Sequence, residues 1–309
     1  MQQCADTSQE ASASSSARQS DDDDKHLRTH RMYREWADVA VDPAVAAGAL
    51  TLEGVLGLRG VLAADEASAL STFVDKELAK RKLQATAADA SPEEPAAIAA
   101  FDRWFGEVRE RRARYDLKLD IGEPAVRQAL HALCMAVSPI IEELLTLDAI
   151  VVELASLISD PGARQQDYHP DSVLPSTCGA PLYTVFVALQ DIDRSMGPTR
   201  VLPKTHDEES HRRLRSKAAS GAKDRNAADE SGVHMACMAG DAFLMDSRLW
   251  HRGGCNASVS RRRLLYVTFA APHCFPPGST YSILDEFVGR LRLRDYDCWL
   301  REKPAECPK

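Results

Sequence analysis

Two histidines and an aspartate stand at spacings that suit a metal ion. The segment Pro161-Gly162-Ala163-Arg164-Gln165-Gln166-Asp167-Tyr168-His169-Pro170-Asp171 ends in an H-x-D triplet. Side chains two residues apart in an extended chain share a face, so His169 and Asp171 can offer an imidazole and a carboxylate to one ion. Further on, a Gly240-Asp241 turn, a short apolar run and Trp250-His251-Arg252-Gly253-Gly254 put His251 at a strand end, where paired glycines let the backbone approach a bound group. Each element alone is weak evidence, because such triplets arise by chance among nine histidines and a histidine satisfied within the core is the plain alternative. Together they supply the two-histidine, one-carboxylate set that leaves three positions open on non-haem iron(II). A third element, Arg261-Arg262-Arg263, runs straight into Leu264-Leu265-Tyr266-Val267-Thr268-Phe269. A cation heading a buried strand needs an anionic partner, and a small dicarboxylate suits the guanidinium fork; one or two of the three are expected to be solvated at the strand edge.

The elements that must carry these residues follow from apolar periodicity. Ala67, Leu70, Phe73, Val74 and Leu78 recur at helical spacing after Asp65, a candidate N-cap, and so do Ile98, Phe101, Trp104, Phe105 and Val108, then Val126, Leu130, Leu133, Val137, Ile140, Ile141 and Leu144. After residue 148 the pattern changes to the short runs Ile150-Val151-Val152, Leu182 to Leu189, Ala242 to Met245 and Leu264 to Phe269, whose length and β-branched content favour buried strands. The expected class is therefore α+β, a sheet flanked by N-terminal helices. Residues 1–28 are Ser, Ala, Gln and Asp with few large apolar side chains and read as a disordered tail, leaving 29–309 as one domain. Within it we expect a helical lead-in over 50–147, a strand-rich core over 148–272 and a C-terminal helical segment over 283–301. A charged insertion over 207–232, in which Leu214 is the one large apolar residue, reads as a lid or a solvated loop.

Composition excludes several classes. With 44% hydrophobic and 27% charged residues the 309-residue chain is ordinary for a globular protein. Lys plus Arg total 38 against 46 for Asp plus Glu, and the net charge of -8 opposes a nucleic-acid partner. The most apolar stretch, Ala44 to Ala64, is broken by Glu53 and Arg59, so no membrane span is expected. Eight scattered cysteines without a C-x-x-C pair and the lack of a recognisable targeting signal favour a cytoplasmic location.

Taken in order, these motifs resemble those of the phytanoyl-CoA dioxygenase family of iron(II)/2-oxoglutarate oxygenases. Its members run P-G-A-x-x-Q-x-W-H-x-D, G-P-x-R-x-x-P-G-S-H, G-D and H-x-G. This chain has Pro161-Gly162-Ala163, Gln166, Tyr168-His169 and Asp171, then Gly197-Pro198-Thr199-Arg200-Val201-Leu202-Pro203-Lys204-Thr205-His206, then Gly240-Asp241. Tyr168 replaces the usual Trp, and Lys204-Thr205 replaces Gly-Ser. The resemblance implies a double-stranded β-helix, a jelly-roll barrel, with helices packed outside. It implies that His169, Asp171 and His251 bind iron(II), and that Arg262, eleven residues after His251, grips the distal carboxylate of 2-oxoglutarate. Gln166 and Thr199 are implied as further cosubstrate contacts and Arg114 as an additional basic one. The implied activity is hydroxylation of an unactivated C–H bond in a small-molecule or acyl substrate, with dioxygen as second cosubstrate and succinate and carbon dioxide as products. Because Asp171 is a carboxylate, no coordination position is opened for a halide. The alternatives are a barrel that binds without turnover, a zinc hydrolase using the same three ligands, and a Cys-His hydrolase recruiting Cys178 or Cys255 with His251.

Overall fold

A sheet buried on both faces draws its strands from nearly continuous apolar runs, and the four expected runs fold in this way. The computed structural model describes residues 31–32, 36–89, 103–108, 111–172, 182–219, 232–272 and 282–299. The expected tail over 1–28, and with it Ile98, Phe101 and Cys178, lies outside them. In chain order the strands are β1 (Arg31–Met32), β2 (Trp36–Asp38), β3 (Val55–Arg59), β4 (Arg114–Lys118), β5 (Ile150–Ser159), β6 (Tyr183–Ala188), β7 (Arg200–Val201), β8 (Val233–His234), β9 (Ala242–Asp246), β10 (His251–Arg252) and β11 (Arg262–Ala270). The helices are α1 (Pro43–Glu53), α2 (Ala64–Asp89), α3 (Pro124–Leu144), α4 (Glu208–Ala219) and α5 (Tyr296–Trp299).

Seven strands form one sheet in the order β2-β3-β9-β6-β11-β5-β4, and four short ones form a second in the order β1-β8-β7-β10. The β2–β3 and β1–β8 pairs are parallel and the others antiparallel. Alternation divides the large sheet into two faces. Val185, Val187, Leu244, Leu265 and Val267 join Leu50 of α1, Leu70, Val74 and Leu78 of α2 and Leu130, Leu133 and Val137 of α3 in the main core. Ala155, Phe186, Phe243, Met245, Leu264 and Tyr266 join Val201 and Val233 of the small sheet in a second core. Two sheets enclosing one apolar interior, with helices on the outside, make the jelly-roll barrel.

The helical lead-in needs correction, because it also supplies the strands β3 and β4 to the large sheet. Phe105, placed by spacing on a helical stripe, instead bridges Leu117 of β4. β4 escapes an apolar-pattern search because its inward residues are Arg114, Asp116 and Lys118, all buried. Asp65 lies inside the first turn of α2, where the neighbouring Glu66 carboxylate accepts from the Ala63 N–H at 2.8 Å. The first half of the charged insertion is the helix α4. Its anchors are polar: Ser210 and His211 are buried, and the His211 imidazole donates to the Arg248 carbonyl at 2.6 Å and meets Trp250 edge-on. Positions 220–231 lie outside the described residues. The C-terminal segment is mostly irregular, with 3-10 turns at Asp285–Phe287 and Leu293–Asp295 before the short α5. Among the described residues, no helix is long and apolar enough to cross a membrane.

The strand-heading arginines tie helix to sheet. Arg261 and Arg263 point away from the interior and meet Asp75 of α2, which is 2.8 Å from Arg261 Nη1 and 2.5 Å from Arg263 Nη2. Arg261 also pairs with Asp160. Burial pushes the Asp75 carboxyl up, but hydrogen bonds from Arg263 and Arg261 outweigh it and hold the group below the usual carboxylate range. A depressed native value stabilises the fold above the unfolded-state value and loses that effect as pH falls through the native one. Asp75→Asn should therefore cost about 1 kcal/mol at pH 7, since the site is partly open to solvent, with the difference shrinking toward pH 2. Urea unfolding of both proteins at the two pH values checks this.

Candidate metal and cosubstrate site

The chain sets the two histidines face to face through backbone pairing. His169 and His251 form an isolated antiparallel bridge in which each N–H donates to the other's carbonyl at 2.9 Å. Residues paired in this way project to the same side, and their ring centroids lie 4.7 Å apart. Each Nδ1–H donates to the carbonyl two residues back, His169 to Asp167 at 2.8 Å and His251 to Leu249 at 2.9 Å. A carbonyl only accepts, so both Nδ1 atoms carry the proton and both Nε2 atoms are the unprotonated ones that a metal would take. Asp171 is held by its N–H on the Ser247 carbonyl at 2.8 Å. Its Oδ1 lies 3.8 Å from His169 Nε2 and 3.6 Å from His251 Nε2, and the three candidate ligand atoms fall within 4.8 Å of one another. With metal bonds near 2.1 Å, the edge of a facial ligand set is roughly 3 Å, so small side-chain rotations close this one on an ion.

A second polar centre lies at one end of the interior. Register places Arg114 of β4, Ser159 of β5 and Arg262 of β11 side by side. Arg262 is 0% exposed and Arg114 is 1% exposed, so both guanidiniums are withdrawn from water. The Ser159 hydroxyl accepts from Arg114 Nε and from Arg262 Nη2, both at 3.2 Å. Arg114 also donates to the carbonyls of Arg164 at 3.0 Å and Gly254 at 3.1 Å. Arg262 Nη1 donates to the Gly197 carbonyl, while its Nε has no hydrogen-bond partner. Burial, and then the Arg114 cation beside it, push the Arg262 guanidinium down to about 9. A cation still charged at neutral pH under that penalty calls for an anion. Among the described residues, no carboxylate lies within ion-pair distance of Arg262.

Gly253 and Gln166 join the two centres. Two residues beyond His251, the Gly253 carbonyl accepts from the Gln166 N–H at 2.9 Å, and its own N–H donates to Gln166 Oε1 at 2.8 Å. Thr199 is buried directly before β7, with its carbonyl accepting from the Met235 N–H at 2.9 Å. The fold thus brings His169, Asp171 and His251 into one cluster and Arg114 and Arg262 into another. Ser159, the acceptor shared by both arginines, was not singled out from sequence; its place two residues after Leu157 on the inward face of β5 is the signal that marks it. A metal with a chelating dicarboxylate fits this donor set, because a three-ligand face and an unneutralised buried cation line the same barrel.

A methyl group at position 253 would stand 2.7 Å from Gln166 Oε1 and 3.2 Å from Arg114 Nη2. Gly253→Ala should therefore displace Gln166 and weaken 2-oxoglutarate binding to the metal-loaded protein by roughly tenfold or more, while the metal affinity itself changes little. Calorimetric titration of each ligand separates the two effects.

The sequence profile described as Phytanoyl-CoA dioxygenase (PhyH) matches residues 50–264, more than half of the chain. No curated protein sequence matches the chain. Similar solved structures include the non-heme alpha ketoglutarate dependent epimerase SnoN from nogalamycin biosynthesis, at TM-score 0.51 and 17% identity, covering 74% of this chain and 82% of that one. The non-heme alpha ketoglutarate dependent carbocyclase SnoK from the same biosynthesis has TM-score 0.51 and 18% identity, covering 80% and 90%. HygX from Streptomyces hygroscopicus, solved with nickel and 2-oxoglutarate bound, has TM-score 0.53 and 11% identity, covering 74% and 87%. At these identities the likeness is one of fold, and it agrees with the barrel described above. By the profile match, the chain belongs to the phytanoyl-CoA dioxygenase family.

Proposed function

We propose that this protein is an iron(II)- and 2-oxoglutarate-dependent oxygenase that hydroxylates an unactivated C–H bond of a small-molecule or acyl substrate. The observation that carries the reading is Arg262, fully buried with an unpartnered Nε and no carboxylate beside it among the described residues, in the barrel whose small sheet presents the His169, Asp171 and His251 cluster. His169, Asp171 and His251 would hold the metal through two Nε2 atoms and one carboxylate. Arg262 would hold the distal carboxylate of 2-oxoglutarate, with Arg114 adding positive potential and Gln166 and Thr199 lining the path. The bound iron, with 2-oxoglutarate and dioxygen, supplies the oxidising power that turns C–H into C–OH while 2-oxoglutarate becomes succinate and carbon dioxide.

The chain's own part is geometric and electrostatic. The Nδ1–H groups donate to the Asp167 and Leu249 carbonyls and so fix the ring tautomers, and no proton has to move between ring nitrogens when the metal arrives. A guanidinium anchor at the far end of a short dicarboxylate aims the near end at the metal cluster. Phe186, Phe243, Leu264 and Tyr266 line the interior with carbon and exclude water from the reacting centre.

The test compares Arg261→Gln, Arg262→Gln and Arg263→Gln for 2-oxoglutarate affinity and for succinate formation. Loss of a charge-assisted contact in a dry site should cost roughly 2 to 4 kcal/mol at Arg262, about thirtyfold to nearly a thousandfold in Kd. The two outward arginines should cost about 1 kcal/mol or less. Equal small losses at all three positions would remove the cosubstrate clamp from the account, and full metal affinity in Asp171→Ala would remove the ligand assignment.

A further inference from the structure

The inner face of the large sheet continues beyond the arginine row. Register aligns Lys118, Ala155, Tyr266, Phe186 and Phe243 across β4, β5, β11, β6 and β9, and then Glu153, Thr268, Thr184 and Met245 in the next inward row. Phe186 stacks between Phe243 and Tyr266, with ring centroids 4.9 and 5.7 Å away, and this makes an aromatic floor. In the row beside it Thr268, Thr184 and Met245 are buried, whereas Glu153 keeps some open surface. The ladder shifts register just past Thr268, and such bulges commonly re-aim side chains at sites.

The two interior carboxylates differ. Asp116 is fully engaged: Tyr266 Oη donates to it at 2.8 Å, Ser282 Oγ donates to its other oxygen at 2.5 Å, and the Lys118 cation lies nearby. Gly106 closes over it so tightly that an added Cβ would strike both Asp116 and Ser282, which leaves no room for a ligand. Glu153 receives one hydrogen bond, from Thr268 Oγ1 to Oε2 at 2.5 Å, with Thr184 Oγ1 a further 2.9 Å from Thr268. Among the described residues, its other oxygen has no hydrogen-bond partner and no cation lies within ion-pair distance. Burial outweighs the Thr268 hydrogen bond and pushes the Glu153 carboxyl up to about 8. A positive group brought to that oxygen would offset the desolvation of the carboxylate.

We propose that Glu153 is a specificity-determining residue that selects a substrate carrying a protonated amine, received on the free carboxylate oxygen while the carbon skeleton lies on Phe186, Phe243 and Tyr266. What becomes of that substrate rests on the oxygenase reading; its binding does not.

The test is equilibrium binding to the full chain loaded with manganese(II) and 2-oxoglutarate, which does not turn over. The probes are 1,4-diaminobutane, 1,5-diaminopentane, phenethylamine and glucosamine, each paired with its N-acetylated form. At least one amine should bind roughly tenfold to a hundredfold more tightly than its N-acetyl partner. Glu153→Gln should abolish that preference without changing 2-oxoglutarate affinity, and Glu153→Asp, which keeps the charge, should retain part of it. Retention by Asp guards against reading a misfolded Gln variant as support. The proposal is overturned if no amine is preferred, or if the preference survives in Glu153→Gln. Failure of 2-oxoglutarate to bind the manganese-loaded wild type would instead count against the oxygenase reading, and amine preference would then still be measurable on the metal-free chain.

Discussion

Keeping the Arg262 guanidinium out of water is unfavourable by several kcal/mol unless a negative charge meets it, and the architecture around it is arranged to keep that charge in place. Its neighbours on the strand, Arg261 and Arg263, turn outward to Asp75 and Asp160, which anchor β11 to α2 and to the end of β5. The inward acceptors around Arg262 are uncharged: the Ser159 hydroxyl and the Gly197 carbonyl. Gly197 has φ 66 and lies hard against Gly254 and Cys255, so that a Cβ on it would sit 2.3 Å from the Cys255 carbonyl oxygen. Neutral acceptors orient the cation without cancelling it, so the full charge remains for a ligand.

The candidate metal cluster is built with the same economy of side chains. One backbone bridge sets the relation of His169 to His251, the alternation of an extended chain adds Asp171, and two carbonyls fix the proton on each ring. Because Gln166 pairs with Gly253 only two residues beyond His251, a shift of the bridge would be felt at the arginine row. The two centres are therefore coupled mechanically through a few residues of the small sheet and its flanking turn.

Much of this was legible in the sequence because it depends on short-range periodicity. The period of two in β11 separates Arg262 from Arg261 and Arg263 before any tertiary contact is known, and the H-x-D triplet declares its shared face in the same way. The apolar runs of β5, β6, β9 and β11 are readable because both faces of the sheet are buried. What escaped was the part of the barrel whose interior is polar. β4 puts Arg114, Asp116 and Lys118 inward, so a search for hydrophobic alternation passes over it, and Glu153 within the readable β5 carries no apolar signal of its own. Helix α4 escaped for a related reason, since its buried anchors are Ser210 and His211 and not aliphatic residues.

One dicarboxylate would join the candidate metal cluster to the buried Arg262 charge. The most direct measurement is anaerobic titration of 2-oxoglutarate into the iron(II)-loaded protein, followed by visible absorption. The account predicts a metal-to-ligand charge-transfer band that saturates with 2-oxoglutarate and is lost in Asp171→Ala, with saturation moved to much higher concentration in Arg262→Gln. An iron-loaded protein that shows no band at any 2-oxoglutarate concentration, or one whose band saturates identically in Arg262→Gln, would contradict it.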